Sequence, residues 1–363
     1  MYIACVGIVL MHALSSSLMF FDNTSNLFEF FADFIRLSLM FGTPAFIFIS
    51  EFVIAYSYPR NTPKGFILKR MRYIFIPYVC IGILYTWLDT MSYDINFKGF
   101  LVEVFLKIVL GSFHGYFILV IFQFYLLHMF FIKKIVNKFN PNIVIITSII
   151  VNILYLGFFN FIVPEIKPFL NNFISDFYLG KLNILPFFAW VGYFTVAYYC
   201  GSRYLEFLSF VKCFSKKYIA LFFILSLSTL QFLYHVKLLE VMSSKRIDVF
   251  FYTFSVILCL FYLATKIRKT PKVIEIISQY SFGIYLLHPF FQKITEQVLN
   301  LYTPEINITS FTIILFVVGI GLSMITTLIF NQFKIGKYIV GQVGRGISND
   351  RNVMSSKNFS IQK

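Results

Sequence analysis

His12 stands inside an uninterrupted apolar run, MYIACVGIVLMHALSSSLMFF, with no charged residue before it. At 1.5 Å of rise per residue it sits about 16 Å deep, near the midplane of a hydrocarbon core ~30 Å thick. An imidazole titrates near neutral pH and can take the proton of a hydroxyl, so one reading of His12 is a general base; the other is a hydrogen bond between helices. His288 occupies a similar place in SQYSFGIYLLHPFF, residues 278–291. Pro289 follows it, which bends a helix and releases a backbone carbonyl. Tyr285 and Gln292 lie three residues before and four after His288, on the same helical face. Substrate contact and helix anchoring are both open to His288. Glu51, in FGTPAFIFISEFVIAYSY, residues 41–58, is a carboxylate within an apolar run and must be paired or protonated. Isolated ionisable groups are costly at this depth, so His12, Glu51 and His288 are expected to face one polar cavity and are the catalytic candidates.

Arg36 begins the same span as Glu51, as a snorkelling anchor or a substrate contact. His114 opens another apolar run in SFHGYF, with Gln123 deeper, whereas His128 and His235 lie close to the ends of their runs and read as structural. Arg36, Ser50, His114 and Tyr285 complete the candidate substrate contacts. The basic block Lys64, Lys69, Arg70 and Arg72 precedes Ile76-Pro77-Tyr78. It has two readings: a topology signal, or a site for the phosphates of a cofactor such as coenzyme A, for which guanidinium forks are well shaped.

The elements that hold these residues follow from composition. Of 363 residues, 58% are apolar and 13% charged, against about 25% charged in soluble chains. Too little polar surface is available for a water-soluble particle. The net charge of +15 is spread in short blocks between apolar runs, which argues against a nucleic-acid-binding domain and for a multi-span membrane protein. The five cysteines show no metal-ligand spacing, and neither disulfides nor metal are expected. Ten spans are expected, near 1–21, 35–57, 73–91, 113–132, 142–163, 182–201, 218–235, 248–265, 279–299 and 309–330, giving an all-α polytopic fold. With both termini cytoplasmic, the inner connections 58–72, 133–141, 202–217, 266–278 and the tail from 331 hold 22 of the 31 Lys and Arg residues. Among acids they hold Glu206, Glu275 and Asp350. That asymmetry is the positive-inside pattern. Residues 1–335 read as one membrane domain and 336–363 as a polar, disordered cytoplasmic tail. The stretch 98–110, KGFLVEVFLKIVL, reads as an amphipathic helix on the outer face.

On these stretches the sequence resembles the integral-membrane acyltransferase family 3, bacterial membrane O-acyltransferases that modify surface glycans, and within it the intercellular-adhesion protein C branch. The matching segments are ACVGIVLMH (4–12), FIRLSLMFGTPAFIFISEF (34–52), KRMRYIFIPY (69–78), HGYFILVIFQFYLL (114–127) and SFGIYLLHP (281–289). The resemblance implies a ten-helix fold in the plasma membrane that takes an acyl group from cytoplasmic acyl-coenzyme A, acetyl-coenzyme A in the simplest case. The acceptor implied is a hydroxyl of an extracytoplasmic glycan. It implies that His12 is the catalytic histidine, that the cations within Lys69, Arg70 and Arg72 bind the donor, and that His288 belongs to the Tyr-Leu-x-His stretch. No permanently bound cofactor is implied. Three positions depart from the pattern. Met1 stands where the family has an arginine on the His12 face, which a start ten to twenty residues earlier would restore. Ser50-Glu51-Phe52 replaces Ser-Gly-Phe, and Lys69 with Arg72 replaces a pair of arginines. The rival expectation is a polysaccharide exporter or flippase with no chemistry of its own.

Overall fold

The computed structural model describes residues 2–21, 24–92, 96–302 and 306–344. Met1 and the far tail, 345–363, lie outside the described residues. The helices in chain order are α1 Tyr2–Phe20, α2 Asn26–Ser38, α3 Gly42–Ser57, α4 Phe66–Arg70, α5 Ile76–Ser92, α6 Phe97–Val109, α7 Tyr116–Lys134, α8 Pro141–Gly157, α9 Val163–Leu170, α10 Asp176–Ile184, α11 Val191–Ser202, α12 Tyr204–Cys213, α13 Lys216–His235, α14 Ile247–Lys266, α15 Lys272–Tyr302 and α16 Ile308–Gln332. No strand occurs among the described residues, and wide π-helical turns at Met71–Phe75 and Phe158–Ile162 join α4 to α5 and α8 to α9.

This is a polytopic, all-helical membrane protein. Its outward surfaces are those of a chain dissolved in lipid. On α8, Ile143, Ile146, Ile150 and Leu154 are at least half exposed, spaced along one face, while Ser148 and Asn152 are turned inward and buried. Asn152 donates to Ala189 O at 2.9 Å and accepts from Gly192 N at 3.0 Å. Polar groups face the bundle because lipid offers them no partner, whereas apolar side chains lose nothing by facing lipid tails.

Among the described residues, eight helical stretches are long and apolar enough to cross a bilayer. Two of the ten expected spans fall outside that set, for different reasons. The expected span 279–299 lies inside α15, a helix of 31 residues that carries Lys272, Glu275, Lys293 and Glu296. The expected span 182–201 is helical as α11 over 12 residues only, about 18 Å of rise. Pro186 and a tight turn at Phe187–Ala189 precede it. Tyr193, Phe194, Ala197 and Tyr198 are each no more than 1% exposed, so α11 is an interior helix and not a lipid-facing one. The amphipathic helix expected at 98–110 is α6, capped by Asn96, whose side chain accepts from Gly99 N at 2.8 Å.

The chain forms two compact units that interleave in sequence. One comprises Met1–Asp22, Arg72–Ile81 and Ile267–Lys363; the other comprises Asn23–Met71 and Gly82–Lys266. In the first, α1, α15 and α16 pack together. Gln292 Nε2 donates to Val9 O at 3.0 Å, and Thr312 Oγ1 donates to Ser17 Oγ at 2.7 Å. Gly283 is required where α15 meets α16, since a Cβ there would stand 2.1 Å from Thr327 Oγ1. Part of the stretch expected to be a disordered tail folds onto this unit. Asn331 Nδ2 donates to Gly341 O at 3.0 Å, Gly344 N donates to Gln279 O at 3.0 Å, and Val340 is buried. The second unit centres on α3, α7, α8, α11 and α14, with Ile47, Val120, Phe124, Trp190, Phe194 and Phe250 in its core.

Candidate functional site

In the first unit, α1 and α15 bring His12 and His288 face to face. Their ring centroids are 5.2 Å apart and the rings are inclined by 52°. His288 is fully buried. Its Nδ1 donates to Ile284 O at 2.9 Å and Tyr285 O at 3.0 Å, since a carbonyl only accepts. The second of these bonds follows from the sequence. Pro289 has no N–H to give to the carbonyl four residues back, and that carbonyl belongs to Tyr285. The released oxygen takes the imidazole proton instead. The arrangement fixes the tautomer of a neutral His288, with the proton on Nδ1 and the lone pair on Nε2. Tyr285 is 6% exposed, with its ring 6.2 Å from that of His288, and Gln292 ties the same face of α15 to α1.

Glu51 lies in the second unit, where one of its carboxyl oxygens has a partner and Oε2 has none among the described residues. His128 Nδ1 is 2.7 Å from Glu51 Oε1, and both residues are buried. His128 Nε2 donates to Tyr58 O at 3.2 Å. In the first unit the rings of His12 and His288 pack against one another, and in the second Glu51 Oε1 meets His128. His128 had read as structural from its place near the end of an apolar run. The signal that points to it is the buried carboxylate itself, which demands a donor.

One helical turn before His128, Tyr125 is 3% exposed and its hydroxyl bonds to Ser50. The Arg70 guanidinium lies 5.2 Å from the Phe66 ring and 5.6 Å from the Tyr125 ring. Cation–aromatic contact of this kind holds an arginine partly desolvated without an acid. Lys69 and Arg72 are exposed. Gly65 precedes α4 with φ at 75°, a left-handed conformation that excludes most other residues. The loop it ends borders a cleft of about 370 Å³, lined among others by Asn61, Thr62, Lys64, Phe66 and Lys133.

The remaining candidates have structural partners. Arg36 pairs with Asp33 at 2.9 Å, and Asp33 accepts from Tyr234 at 3.1 Å, which joins α2 to α13. The His114 ring packs 5.2 Å from Tyr85 and Phe113. Gln123 closes the turn before α11, accepting from Phe187 N at 3.1 Å and donating to Leu185 O at 2.8 Å.

A family model described as an acyltransferase domain matches residues 2–329. A provisionally named membrane-bound acyltransferase, YfiQ of Bacillus subtilis, is 37% identical over 343 residues, 94% of this chain and 92% of that protein. Proteins provisionally named for export of poly-beta-1,6-N-acetyl-D-glucosamine are also similar. That of Staphylococcus aureus is 26% identical over 94% of this chain and 93% of its own length. That of Staphylococcus epidermidis is 28% identical over 93% and 92%. No solved structure matches.

Proposed function

This chain belongs to the acyltransferase domain family of membrane proteins, and on that premise we propose that it moves an acyl group, acetyl in the simplest case, from cytoplasmic acyl-coenzyme A to a hydroxyl of an extracytoplasmic or cell-surface glycan. The observation that carries the reading is the His12–His288 pair, two imidazoles 5.2 Å apart inside one helical unit. In the reaction, His12 takes the hydroxyl proton as the alcohol oxygen bonds to the thioester carbon. The carbon–sulfur bond then breaks, the thiolate leaves and receives a proton, and the products are an ester and free coenzyme A. His288, its ring fixed by two carbonyls, holds the orientation of the pair.

The donor side of the reading is supported by Arg70, in contact with the rings of Phe66 and Tyr125, and by a cleft that Phe66 lines together with Lys64 and Lys133. Phosphate and pyrophosphate groups suit such a cluster, and exposed Lys69 lies one residue before Arg70. For the acceptor, the names of the staphylococcal relatives point to a β-1,6-linked N-acetylglucosamine polymer, in which each residue keeps free hydroxyls at positions 3 and 4.

Those same names favour a second reading, export of the polymer without acyl transfer. His12→Ala and His12→Gln separate the two. As an acyltransferase, the protein should lose at least about 10²-fold in transfer of radiolabelled acetyl to membrane glycan in both variants while remaining folded in the membrane. Transfer at the wild-type rate in either variant excludes His12 as the base. Polymer secretion that continues in a glutamine variant without transfer leaves export as the separate activity.

A further inference from the structure

Helix α3 stops at Ser57, two residues before Pro59, which has no N–H to give to the Ala55 carbonyl. The chain then runs without helix from Tyr58 to Gly65. Asn61, Thr62 and Lys64 of this strap line the cleft, and Met129 and Lys133 of α7 line it too. The strap begins with two carbonyls that leave the helix behind. That of Pro59 could look to the N–H four residues on, but residue 63 is a second proline and has none.

Buried side chains from two other helices take both carbonyls. His128 Nε2, on α7, donates to Tyr58 O at 3.2 Å, and the Tyr198 hydroxyl, on α11, donates to Pro59 O at 2.7 Å. His128 and Tyr198 are no more than 1% exposed, and their rings lie 5.7 Å apart. Loop carbonyls at a protein surface ordinarily bond to water, and a buried imidazole or phenol is costly unless it is bonded. Here the strap backbone supplies those bonds. Glu51 guarantees which imidazole nitrogen donates. With the shared proton on the carboxyl, Nδ1 is a lone pair and the ring N–H is on Nε2. With the proton on the ring, both nitrogens carry one. Nε2 therefore donates to the strap in either state. The far end of the strap is seated by Phe66, buried with its ring 5.9 Å from that of Tyr58 and 5.8 Å from that of Tyr125. Phe66 N donates to Pro63 O at 3.1 Å.

We propose that His128 and Tyr198 are positioning residues for the cleft: by holding Tyr58 O and Pro59 O they fix the strap in the shape that receives the phosphate-bearing part of acyl-coenzyme A. Neither residue lines the cleft, so each acts through the backbone of the strap. The proposal rests on the reading of this cleft as the donor site. It assigns the buried Glu51–His128 pair to donor binding and not to proton transfer.

The test uses the full-length chain in detergent, with coenzyme A binding read by calorimetry, thermal unfolding read in parallel, and acetyl transfer to membrane glycan read for KM and kcat. Tyr198→Phe removes one hydroxyl. It should weaken coenzyme A about fivefold, the effect of one hydrogen bond, and raise KM for acetyl-coenzyme A alike with kcat near wild type. At position 128 two amides separate the strap from the carboxyl. An asparagine amide nitrogen falls where Nδ1 was and meets Glu51, but it does not reach Tyr58 O. A glutamine amide nitrogen falls where Nε2 was and still donates to Tyr58 O. His128→Asn should therefore lose affinity as Tyr198→Phe does, whereas His128→Gln should bind coenzyme A near wild type although it unfolds at a lower temperature. A purely structural role makes affinity follow stability, the opposite ranking, and that result overturns the proposal. So does unchanged binding in both Tyr198→Phe and His128→Asn, or a fall in kcat with KM unaltered; the donor reading survives these outcomes. No saturable binding of coenzyme A to the unaltered chain removes the donor reading and the proposal together. Should His128→Gln not fold, the KM and kcat of Tyr198→Phe decide the question.

Discussion

Glu51 and His128 form a buried pair in which both imidazole nitrogens are engaged, Nδ1 with a Glu51 carboxyl oxygen and Nε2 with the carbonyl of Tyr58. A glutamine at position 51 can turn its amide N–H toward Nδ1 while His128 keeps its proton on Nε2. A leucine leaves Nδ1 buried with nothing to bond. Glu51→Gln is therefore expected to unfold close to wild type in detergent, and Glu51→Leu to lose about 1–3 kcal/mol. Equal losses in the two variants, read from unfolding curves, mean that the pair is ionised and the charge itself is what the fold requires. His12 and His288 were legible in the sequence, because an ionisable residue deep in an apolar run has few innocent explanations. His128 was not. Its run ends in Lys133 and Lys134, which made it look interfacial, and its burial comes from α3 packing on α7, a contact that no local pattern encodes.

Elements determine how these residues are aimed, and α15 gives the clearest case. A proline inside a helix removes one hydrogen bond, and here the orphaned Tyr285 carbonyl is taken by the imidazole one residue before the proline. Pro289→Ala restores a backbone N–H to compete for that carbonyl and loosens the ring. The variant should remain folded, with acyl transfer reduced by about tenfold, the effect of one weakened hydrogen bond on orientation. The loss should fall on the turnover rate and leave the apparent KM for acyl-coenzyme A near wild type, because Arg70 and the cleft beside Phe66 are untouched. A rise in KM with no fall in rate means that α15 positions the donor instead. The proline was readable as a source of a free carbonyl, but the sequence could not say what would use it. The shortening of α11 was unreadable for a different reason. An apolar run of twenty residues satisfies a span by hydropathy, and only Pro186, with the turn that follows it, marks where the helix cannot begin.

For the whole molecule, the charge pattern makes a demand that α11 alone does not visibly meet. Twelve residues reach about 18 Å, short of a ~30 Å core, yet the inner assignment of 202–217, with four cations, and of every later loop depends on a crossing between 176 and 202. The path includes more than α11, since α10 and the Phe187–Ala189 turn lead into it. Burial inside its unit relieves a short helix of the need to match the bilayer, because irregular backbone is tolerated at membrane depth where protein surrounds it. The crossing is therefore expected to be real and made by the combined segment. Cys213 is exposed and serves as a native reporter just after it, and Asn171, also exposed, takes an engineered cysteine just before it. A membrane-impermeant maleimide applied to intact cells should label Asn171→Cys and spare Cys213, and the reverse should hold in inverted vesicles. Ser57→Cys and Asn307→Cys should likewise label from opposite sides. Labelling of positions 171 and 213 from one side removes a crossing. It would move the basic connections 202–217 and 266–278 to the outer face, against the positive-inside bias that otherwise orders the chain.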